Sequence, residues 1–311
     1  MNDLLQQLTE ADGVSSAEKE VRLLIRDLIV DHVDEWHVDA MGNLIATKRG
    51  TGQSDLRVLV DAHMDEVGLM ITEIDSSGML KFEGVGGFDD RALLGKVVRV
   101  GPKKLNGVIG AKPIHLLEGN QRNSIVKREL MRIDIGAKNK EAAGSKVKVG
   151  DVASFVTQYE ELGATAIGKA FDDRAGCAVL IELLRADPYP FDLIAAFTVQ
   201  EEVGLRGAQV AAYGVKPDVA LILECTPAYD LPNELDVSPN VALGQGPAIY
   251  VMDRGTIQDP RLVSHITHTA ARHDIPFQIR QPGGGGTNTA VIQRLHGGIP
   301  AATMAVQTAP I

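Results

Sequence analysis

Apolar and polar positions along the chain follow two different patterns. Near the N-terminus, apolar residues recur at helical spacing and predict an amphipathic helix: Val21, Leu24, Ile25, Leu28 and Ile29. The serine-rich run at 15–18 just before them is typical of a capping box and predicts the start of that helix. Strands are predicted next at 43–48 and 56–62. The second strand is almost continuously apolar, which is typical of a central strand covered on both faces.

From residue 68 to about 162 the pattern changes. Short β-rich runs alternate with glycine turns, and long helical stripes are missing. The runs lie at 69–74, 79–82, 97–100, 131–135 and 152–156. This segment therefore predicts a small β-rich domain of barrel or sandwich type.

After residue 163 strands and helices alternate again. A helix is predicted at 175–185, with strands at 193–199 and 219–223, the latter ending at Glu224. Asp259 and Pro260 are typical of an N-cap and a first helical position. The predicted fold class is α/β, with a mixed, mostly parallel sheet flanked by helices and interrupted by an inserted β-rich, barrel-like domain. The predicted domains are 1–66 with 163–311, and 67–162.

Composition narrows the function. The 311 residues carry a net charge of −10, which argues against nucleic acid or an anionic membrane as the main partner and is typical of ordinary solubility. The first 13 residues lack a signal-peptide pattern, and no run approaches the length of a membrane span. Cys177 and Cys225 are too few for a disulfide framework or a thiolate zinc site. We expect a soluble cytoplasmic protein.

The stretch at 168–176 holds two adjacent aspartates, Asp172 and Asp173, between a short β-like run and a helical pattern. Adjacent carboxylates repel each other, so a fold that places such a pair at a strand end often supplies a cation. The alternative is that Asp173 caps the following helix and Asp172 is a solvated turn residue.

Further acidic and imidazole groups also lie where a strand pattern gives way to a loop: His63, Asp172, Glu201, Glu202 and Glu224. Sites assemble at the carboxyl ends of strands in such sheets. One imidazole with several carboxylates suits Zn, Co or Mn. A shared carboxylate could join two ions that activate water, and a neighbouring glutamate could act as general base.

Each of these residues also has a simpler interpretation. His63 could be a packed histidine, and Asp65 could be a turn residue, although a carboxylate at this spacing can also orient a ligating imidazole. Glu201 and Glu202 could begin a solvated helix. Glu224 lies in an apolar run, where an unpaired carboxylate is costly. Their joint occurrence favours a metal site.

Four motifs, at 63–68, 168–176, 201–207 and 283–287, closely resemble those of the tetrahedral (TET) aminopeptidase family, which includes glutamyl aminopeptidases and proteins described as cellulase M. The resemblance covers essentially the whole chain. It implies an α/β metallopeptidase domain with an inserted β-rich dimerisation domain. It also implies self-association, through dimers, into a dodecamer that forms a hollow tetrahedron and admits peptides.

The resemblance further implies a ligand set for two divalent metal ions per subunit, of Zn, Co or Mn. His63 and Glu224 would bind one ion, and Glu202 would bind the other. Asp172 would bridge both ions, and its peptide bond to Asp173 would be cis.

Catalytic roles are implied in the same way. Glu201 would act as general base, taking a proton from the activated water and delivering it to the leaving amine. Asp65 would orient His63. The implied substrates are short peptides.

Two positions depart from the family pattern. The family has a fifth ligand, a histidine shortly after its last strand; aligned on Thr308, this histidine would come directly after Ile311. His296 is the nearest histidine in the sequence, but it is interpreted as a helix-end residue. Asn288 stands where the family usually has aspartate. We therefore expect a truncated C-terminus.

The predicted function is a metal-dependent aminopeptidase that removes N-terminal residues with a two-metal activated water. The missing histidine leaves an alternative, a catalytically impaired peptide-binding or scaffold subunit. A glycan hydrolase is disfavoured, because no pair of carboxylates here indicates the acid and nucleophile of that chemistry.

Overall fold

A computed structural model describes residues 1–228 and 241–308, with only the backbone at 120 and 121. The α-helices are α1 (Asn2–Glu10), α2 (Lys19–Ile29), α3 (Lys140–Gly144), α4 (Phe171–Arg185), α5 (Arg206–Val215), α6 (Pro260–Arg272) and α7 (Thr289–Ile292). The first strands are β1 (Glu35–Val38), β2 (Leu44–Lys48), β3 (Arg57–His63), β4 (Gly68–Ile74), β5 (Leu80–Val85), β6 (Val97–Val100), β7 (Leu105–Gly110) and β8 (Arg132–Asp134). The others are β9 (Val152–Phe155), β10 (Glu160–Leu162), β11 (Thr165–Ile167), β12 (Asp192–Thr198), β13 (Val219–Pro227), β14 (Ala248–Tyr250), β15 (Gln278–Arg280) and β16 (Ala301–Thr308). None of the helices in these ranges is long and apolar enough to span a bilayer.

The larger compact unit comprises Met1–Ala11, Glu18–Asp65 and Ala170–Ile311. Its described residues form an eight-stranded sheet in the order β1-β2-β12-β3-β13-β16-β14-β15. The central pairings β12–β3, β3–β13 and β13–β16 are parallel, whereas β1–β2, β2–β12 and β14–β16 are antiparallel. A mixed sheet of this kind confirms the predicted α/β class.

Helices cover both faces of this sheet. Alternate residues of a strand point to opposite faces, so each central strand contributes side chains to a core on either side. In β3, Val58 and Val60 pack in a core with α1, α2 and α4. Leu59, between them in sequence, packs in a second core with α5 and α7. Each fully buried apolar side chain of this size contributes roughly 1.5–3 kcal/mol. The near-continuous apolar run of β3 is therefore explained by burial on both faces.

The second compact unit comprises Asp12–Ala17 and Glu66–Lys169. In the part of the unit that is described, strands close into a barrel in the order β4-β5-β8-β7-β6-β9 around its own apolar core. The predicted β-rich, barrel-like insertion is confirmed as a fold. The five predicted runs correspond to β4, β5, β6, β8 and β9. Strand β7 was not predicted, because Asn106, Gly107 and Gly110 weaken its strand pattern.

The predicted start of the first amphipathic helix is wrong. Helix α2 begins at Lys19, with Glu18 at the N-cap position, and not at the serine run. The backbone N–H of Ser15 donates instead to the carbonyl oxygen of Glu66, and Ser16 has a φ of 78°. These residues therefore form a bridge and a turn before the helix. The predicted Asp259 cap of α6 is confirmed, because its side chain accepts from the N–H of Arg261.

Candidate metal centre

His63 and Glu224 come from neighbouring parallel strands. His63 is the last residue of β3, one residue beyond the predicted end of that strand. The predicted end of the next strand at Glu224 is wrong, because β13 continues to Pro227. Cys225 and Thr226 still pair with β16, so Glu224 lies inside the strand and is buried there. A buried carboxylate at this position needs a partner.

Asp172 and Asp173 lie at the start of α4. The β-like run predicted before them is shorter than expected, since β11 ends at Ile167, and within the described residues it pairs only with β10. Both aspartates have non-helical backbone angles, and the peptide bond between them is cis, as the resemblance implies. Asp173 Oδ1 accepts from the N–H of Gly176 at 2.9 Å. The capping interpretation of Asp173 is therefore also correct.

The imidazole of His63 lies between carboxylates on both sides. Its Nε2 is 3.1 Å from Asp172 Oδ1 and 3.4 Å from Glu224 Oε1. Its Nδ1 is 3.2 Å from the carbonyl oxygen of Asp65 and 3.4 Å from Asp65 Oδ1. Burial alone would lower the pKa of His63, but hydrogen bonds to Asp172, Asp65 and Glu224 raise it well above its usual value. This histidine is therefore not simply packed in an apolar core.

Asp65 connects His63 to the glutamate pair. Its Oδ1 accepts from the N–H of Glu201 at 2.9 Å, and its Oδ2 accepts from the N–H of Glu202 at 3.2 Å. The carboxylate is fully buried. One side chain thus faces the imidazole and fixes the turn that carries both glutamates.

Glu201 and Glu202 lie in the turn between β12 and α5, which begins only at Arg206, so the interpretation as a helix start is wrong. Burial, with a further contribution from Asp172, raises the pKa of Glu201 to about 7 and that of Glu202 to about 8. The pKa of Glu224 is also raised well above its usual value, first by burial and then by Asp172. A divalent cation would lower all three pKa values, because its charge favours the ionised carboxylates.

These donors fit a cation. Side-chain ligand atoms of His63, Asp173 and Glu224 lie within 4.8 Å of one another. Glu224 Oε2 and Asp173 Oδ2 are buried and have no hydrogen-bond partner among the described residues. Such oxygens are costly unless a cation or a donor satisfies them. One imidazole with several carboxylates is a ligand set for Zn, Co or Mn. Of the two aspartates, Asp172 is the better candidate to face an ion that His63 and Glu224 also contact. The side chain of Asp172 is about half exposed, whereas Asp173 already caps α4.

A cavity of about 360 Å³ opens at this cluster. Four of the predicted site residues line it: Asp172, Glu201, Glu202 and Glu224. His63 and Asp65 lie next to these residues without lining the cavity. Gly284–Gly286, from the fourth family-like motif, form part of the wall. The cavity places the carboxylates where a small molecule can reach them.

Sequence reasoning missed other residues of the site. Tyr250 and Arg280 line the same cavity, and both are buried. Asp61 was also missed; it accepts a hydrogen bond from Asn288, which the sequence marked only as a departure from the family pattern. An aspartate in the apolar strand β3 was a usable signal for Asp61, whereas Arg280 lies in a short strand without a motif.

The family's fifth ligand is a histidine that the sequence places neither in the tail nor at His296. The predicted absence of a histidine concerns the chain beyond Thr308, which lies outside the described residues. His296 follows α7, and its Nε2 is 2.9 Å from the carbonyl oxygen of Tyr213, whose ring stacks on the imidazole. This contact keeps His296 on Tyr213 and not at the cluster around His63.

Comparisons with known proteins agree with this geometry. A family model described as M42 glutamyl aminopeptidase matches residues 42–311. A lysyl aminopeptidase of Pyrococcus furiosus is 30% identical and covers 98% of this chain, which spans 88% of that protein. A glutamyl aminopeptidase of Lactococcus lactis is 30% identical, with coverages of 98% and 87%.

Solved structures are similar over almost the full chain. The TET aminopeptidase of Thaumarchaeota archaeon SCGC AB-539-E09 has a TM-score of 0.95 and 36% identity, covering 99% of this chain and 88% of that one. The TET1 peptidase of Pyrococcus horikoshii, described as assembling into a tetrahedron or a large octahedral shell, has a TM-score of 0.86 and 36% identity, with coverages of 98% and 90%.

Proposed function

The chain belongs to the M42 family of glutamyl aminopeptidases and is a hydrolase that acts on peptide bonds; from this premise we propose that it removes N-terminal residues from short peptides by a two-metal mechanism. One observation carries the proposal. Carboxylates from the start of α4, from the turn after β12 and from β13 converge on a single cavity beside the imidazole of His63. A cluster this acidic is suited to cations and to the ammonium group of a peptide.

We assign His63 and Glu224 to one ion, Glu202 to the other, and Asp172 to both. The short distances from His63 Nε2 to Asp172 and Glu224 support the first group. The position of Glu202 on the same cavity wall supports the second. When bound, divalent ions at such a site polarise the scissile carbonyl and lower the pKa of water.

Glu201 is the proposed general base. It lines the cavity, and its backbone N–H is held by Asp65 Oδ1. Its carboxylate would accept a proton from the attacking water and deliver it to the leaving amine. Asp65 would position His63 through Nδ1 and, at the same time, the turn that carries Glu201.

Paired glutamine variants test these assignments. Glu201→Gln is expected to retain bound zinc and the wild-type melting temperature while losing about 10²- to 10⁴-fold in turnover, because only proton transfer is removed. Glu202→Gln is expected to lose zinc as well as turnover. Zinc content by elemental analysis and hydrolysis of aminoacyl p-nitroanilides separate the two roles. Glu201→Gln with substantial activity would contradict the base assignment, and Glu202→Gln with full zinc content would contradict the ligand assignment.

Self-association is the second part of the proposal. The solved TET1 peptidase is described as assembling into a tetrahedron or a large octahedral shell. In the β-rich unit, Ile114, Ile125 and Leu130 are 68%, 62% and 67% exposed, and exposed apolar groups of this kind often mark protein interfaces. We propose that this insertion, predicted at 67–162, mediates dimerisation and that dimers build a dodecamer. Light scattering of the purified protein is expected to give a large homo-oligomer, and a monomer would contradict this proposal.

The alternative of an impaired peptide-binding or scaffold subunit is not favoured, because curated relatives across nearly the whole chain are named as aminopeptidases. The identity of the metals, their number and the cytoplasmic location stay predictions. Elemental analysis after purification without added metal is the direct check on the first two.

A further inference from the structure

Arg280 is held rigidly in the wall of the cavity. It is 4% exposed and ends the short strand β15. Its Nε donates to Thr226 Oγ1 at 2.9 Å, and its Nη2 donates to the carbonyl oxygen of Gly284 at 3.1 Å. The guanidinium carbon lies 4.3 Å from the ring centroid of Tyr250. These contacts, on separate segments, fix the plane of the guanidinium.

One nitrogen of the Arg280 guanidinium, Nη1, makes no hydrogen bond within the described residues. Nη1 is buried and has no hydrogen-bond partner in the described part of the chain, and no carboxylate there forms an ion pair with Arg280. A buried positive charge without an anion is costly, and a preorganised guanidinium binds carboxylates well. Arg280 is therefore a charged donor, fixed in place, that lacks its acceptor.

The opposite charge is already present in the same cavity. Asp172, Glu201, Glu202 and Glu224 share its wall with Arg280. If Arg280 served only to balance these carboxylates, it would pair with one of them. Instead, the Arg280 nitrogens that form hydrogen bonds donate to a neutral hydroxyl and to a neutral carbonyl oxygen. The cavity thus presents acidic groups and a separate cation, which together complement a ligand that carries both an ammonium and a carboxylate.

We propose that Arg280 is a specificity-determining residue whose Nη1 donates to a carboxylate of the bound peptide, an inference that rests on the proposed aminopeptidase function. The carboxylate has two possible sources. It is either the side chain of an acidic N-terminal residue or the C-terminal carboxylate of a very short peptide. Family membership does not decide the charge preference, since relatives at the same 30% identity are named for lysyl and for glutamyl residues.

Paired substrates that differ only in one charge test the inference. The pairs are Glu- against Gln-p-nitroanilide, and Leu-Gly against Leu-Gly amide. A charge-assisted hydrogen bond predicts that the wild type favours the carboxylate member of one pair by about 10- to 100-fold in kcat/KM. The pair that shows the preference identifies the source. Arg280→Met is expected to reduce the ratio to about one, mainly through KM, and Arg280→Lys to restore part of it.

The control is Arg294→Met. Arg294 Nε also donates to a carbonyl oxygen, that of Ala290 at 2.6 Å, but Arg294 does not line the cavity. This variant is expected to keep the wild-type ratio. Equal losses for both members of each pair in Arg280→Met would show a merely structural role and overturn the inference. So would the absence of any carboxylate preference in the wild type.

A binding measurement on the wild type tests the inference even if Arg280→Met does not fold or the protein shows no activity. Calorimetric titration of the wild type with the α-amides of glutamate and glutamine, and with Leu-Gly and its amide, measures carboxylate recognition independently of turnover. A stronger response to the carboxylate form in one pair supports the inference, and equal responses in both pairs overturn it. Absence of hydrolysis of every neutral substrate would instead contradict the proposed function.

Discussion

The side-chain amide of Asn288 lies 2.7 Å from a carboxylate oxygen of Asp61, and both side chains are buried. Asn288 also donates to Thr198 Oγ1 at 3.1 Å. Burial raises the pKa of Asp61 to about 6, although the hydrogen bond from Asn288 opposes this shift. The bond joins β3, two residues before His63, to the start of α7. An aspartate at 288, which is usual in the TET pattern, would face the carboxylate of Asp61.

The Asp61–Asn288 pair gives the first prediction. Asn288→Asp is expected to destabilise the protein by about 1–3 kcal/mol, since the buried acceptor loses its donor and gains a repelling carboxylate. Differential scanning calorimetry at neutral pH checks the loss. The matched control is the exchange Asp61→Asn with Asn288→Asp, which restores one donor and one acceptor. If the double variant is no more stable than Asn288→Asp alone, the hydrogen bond is not the cause.

Metal removal gives the second prediction. Glu224 Oε2, a buried oxygen that has no partner in the described part of the chain, is expected to gain one when a cation binds. Adding zinc or manganese to chelator-treated protein at 100 times the dissociation constant should therefore stabilise it by about 2.7 kcal/mol. A thermal scan with and without metal measures this. Magnesium, which prefers an oxygen-only shell, should give a smaller shift. Equal melting temperatures with and without zinc would contradict the metal assignment.

Two histidines allow a matched test of the ligand set. His63→Ala is expected to lose zinc, because its Nε2 lies within 3.4 Å of both Asp172 and Glu224. His296→Ala should keep wild-type zinc content, since that imidazole contacts Tyr213. Elemental analysis of both variants, with melting temperatures as a check on folding, distinguishes them. Loss of zinc in His296→Ala would show that this histidine reaches the centre.

The cap of α6 gives a prediction about pH. The hydrogen bond from Arg261 outweighs partial burial and lowers the pKa of Asp259 to about 2. A lowered folded-state pKa means that this stabilisation is fully present above the unfolded value, about 4, and is lost as the pH falls towards 2. Asp259→Ala should cost about 1 kcal/mol at pH 7, which corresponds to roughly 2–4 °C in melting temperature.

Asp259→Asn separates charge from capping. The asparagine can still accept from the N–H of Arg261, so its difference from the wild type should be largest near pH 7 and shrink towards pH 3. Asp187→Ala, at an exposed loop position, is the control and should change little at either pH. If the stability difference between Asp259→Asn and the wild type grows as the pH falls, the predicted pH dependence is wrong.

Sequence patterns located residues correctly in the fold where they lie next to a regular element. His63 ends an apolar strand, and Glu201 follows one, so local patterns placed both. Sequence reasoning was wrong about the surroundings of Glu224, because the extension of β13 depends on pairing with β16, about 80 residues away in the chain. Arg280 was missed for a similar reason. Its partners Thr226 and Tyr250 lie on other strands, and no local pattern indicates them.

The carboxylate of Asp65 has a consequence for how the site can change over evolution. Because one side chain faces His63 Nδ1 and accepts from the N–H groups of Glu201 and Glu202, the geometry of the proposed ligands and the position of the proposed base depend on the same residue. A substitution there would alter cation affinity and proton transfer together. Substrate preference, by contrast, depends on cavity-wall residues such as Arg280 that have no bond to Asp65 among the described contacts. Substitutions of Asp65 are therefore constrained by the reaction itself. Substitutions of cavity-wall residues can change which peptides are accepted without affecting that reaction.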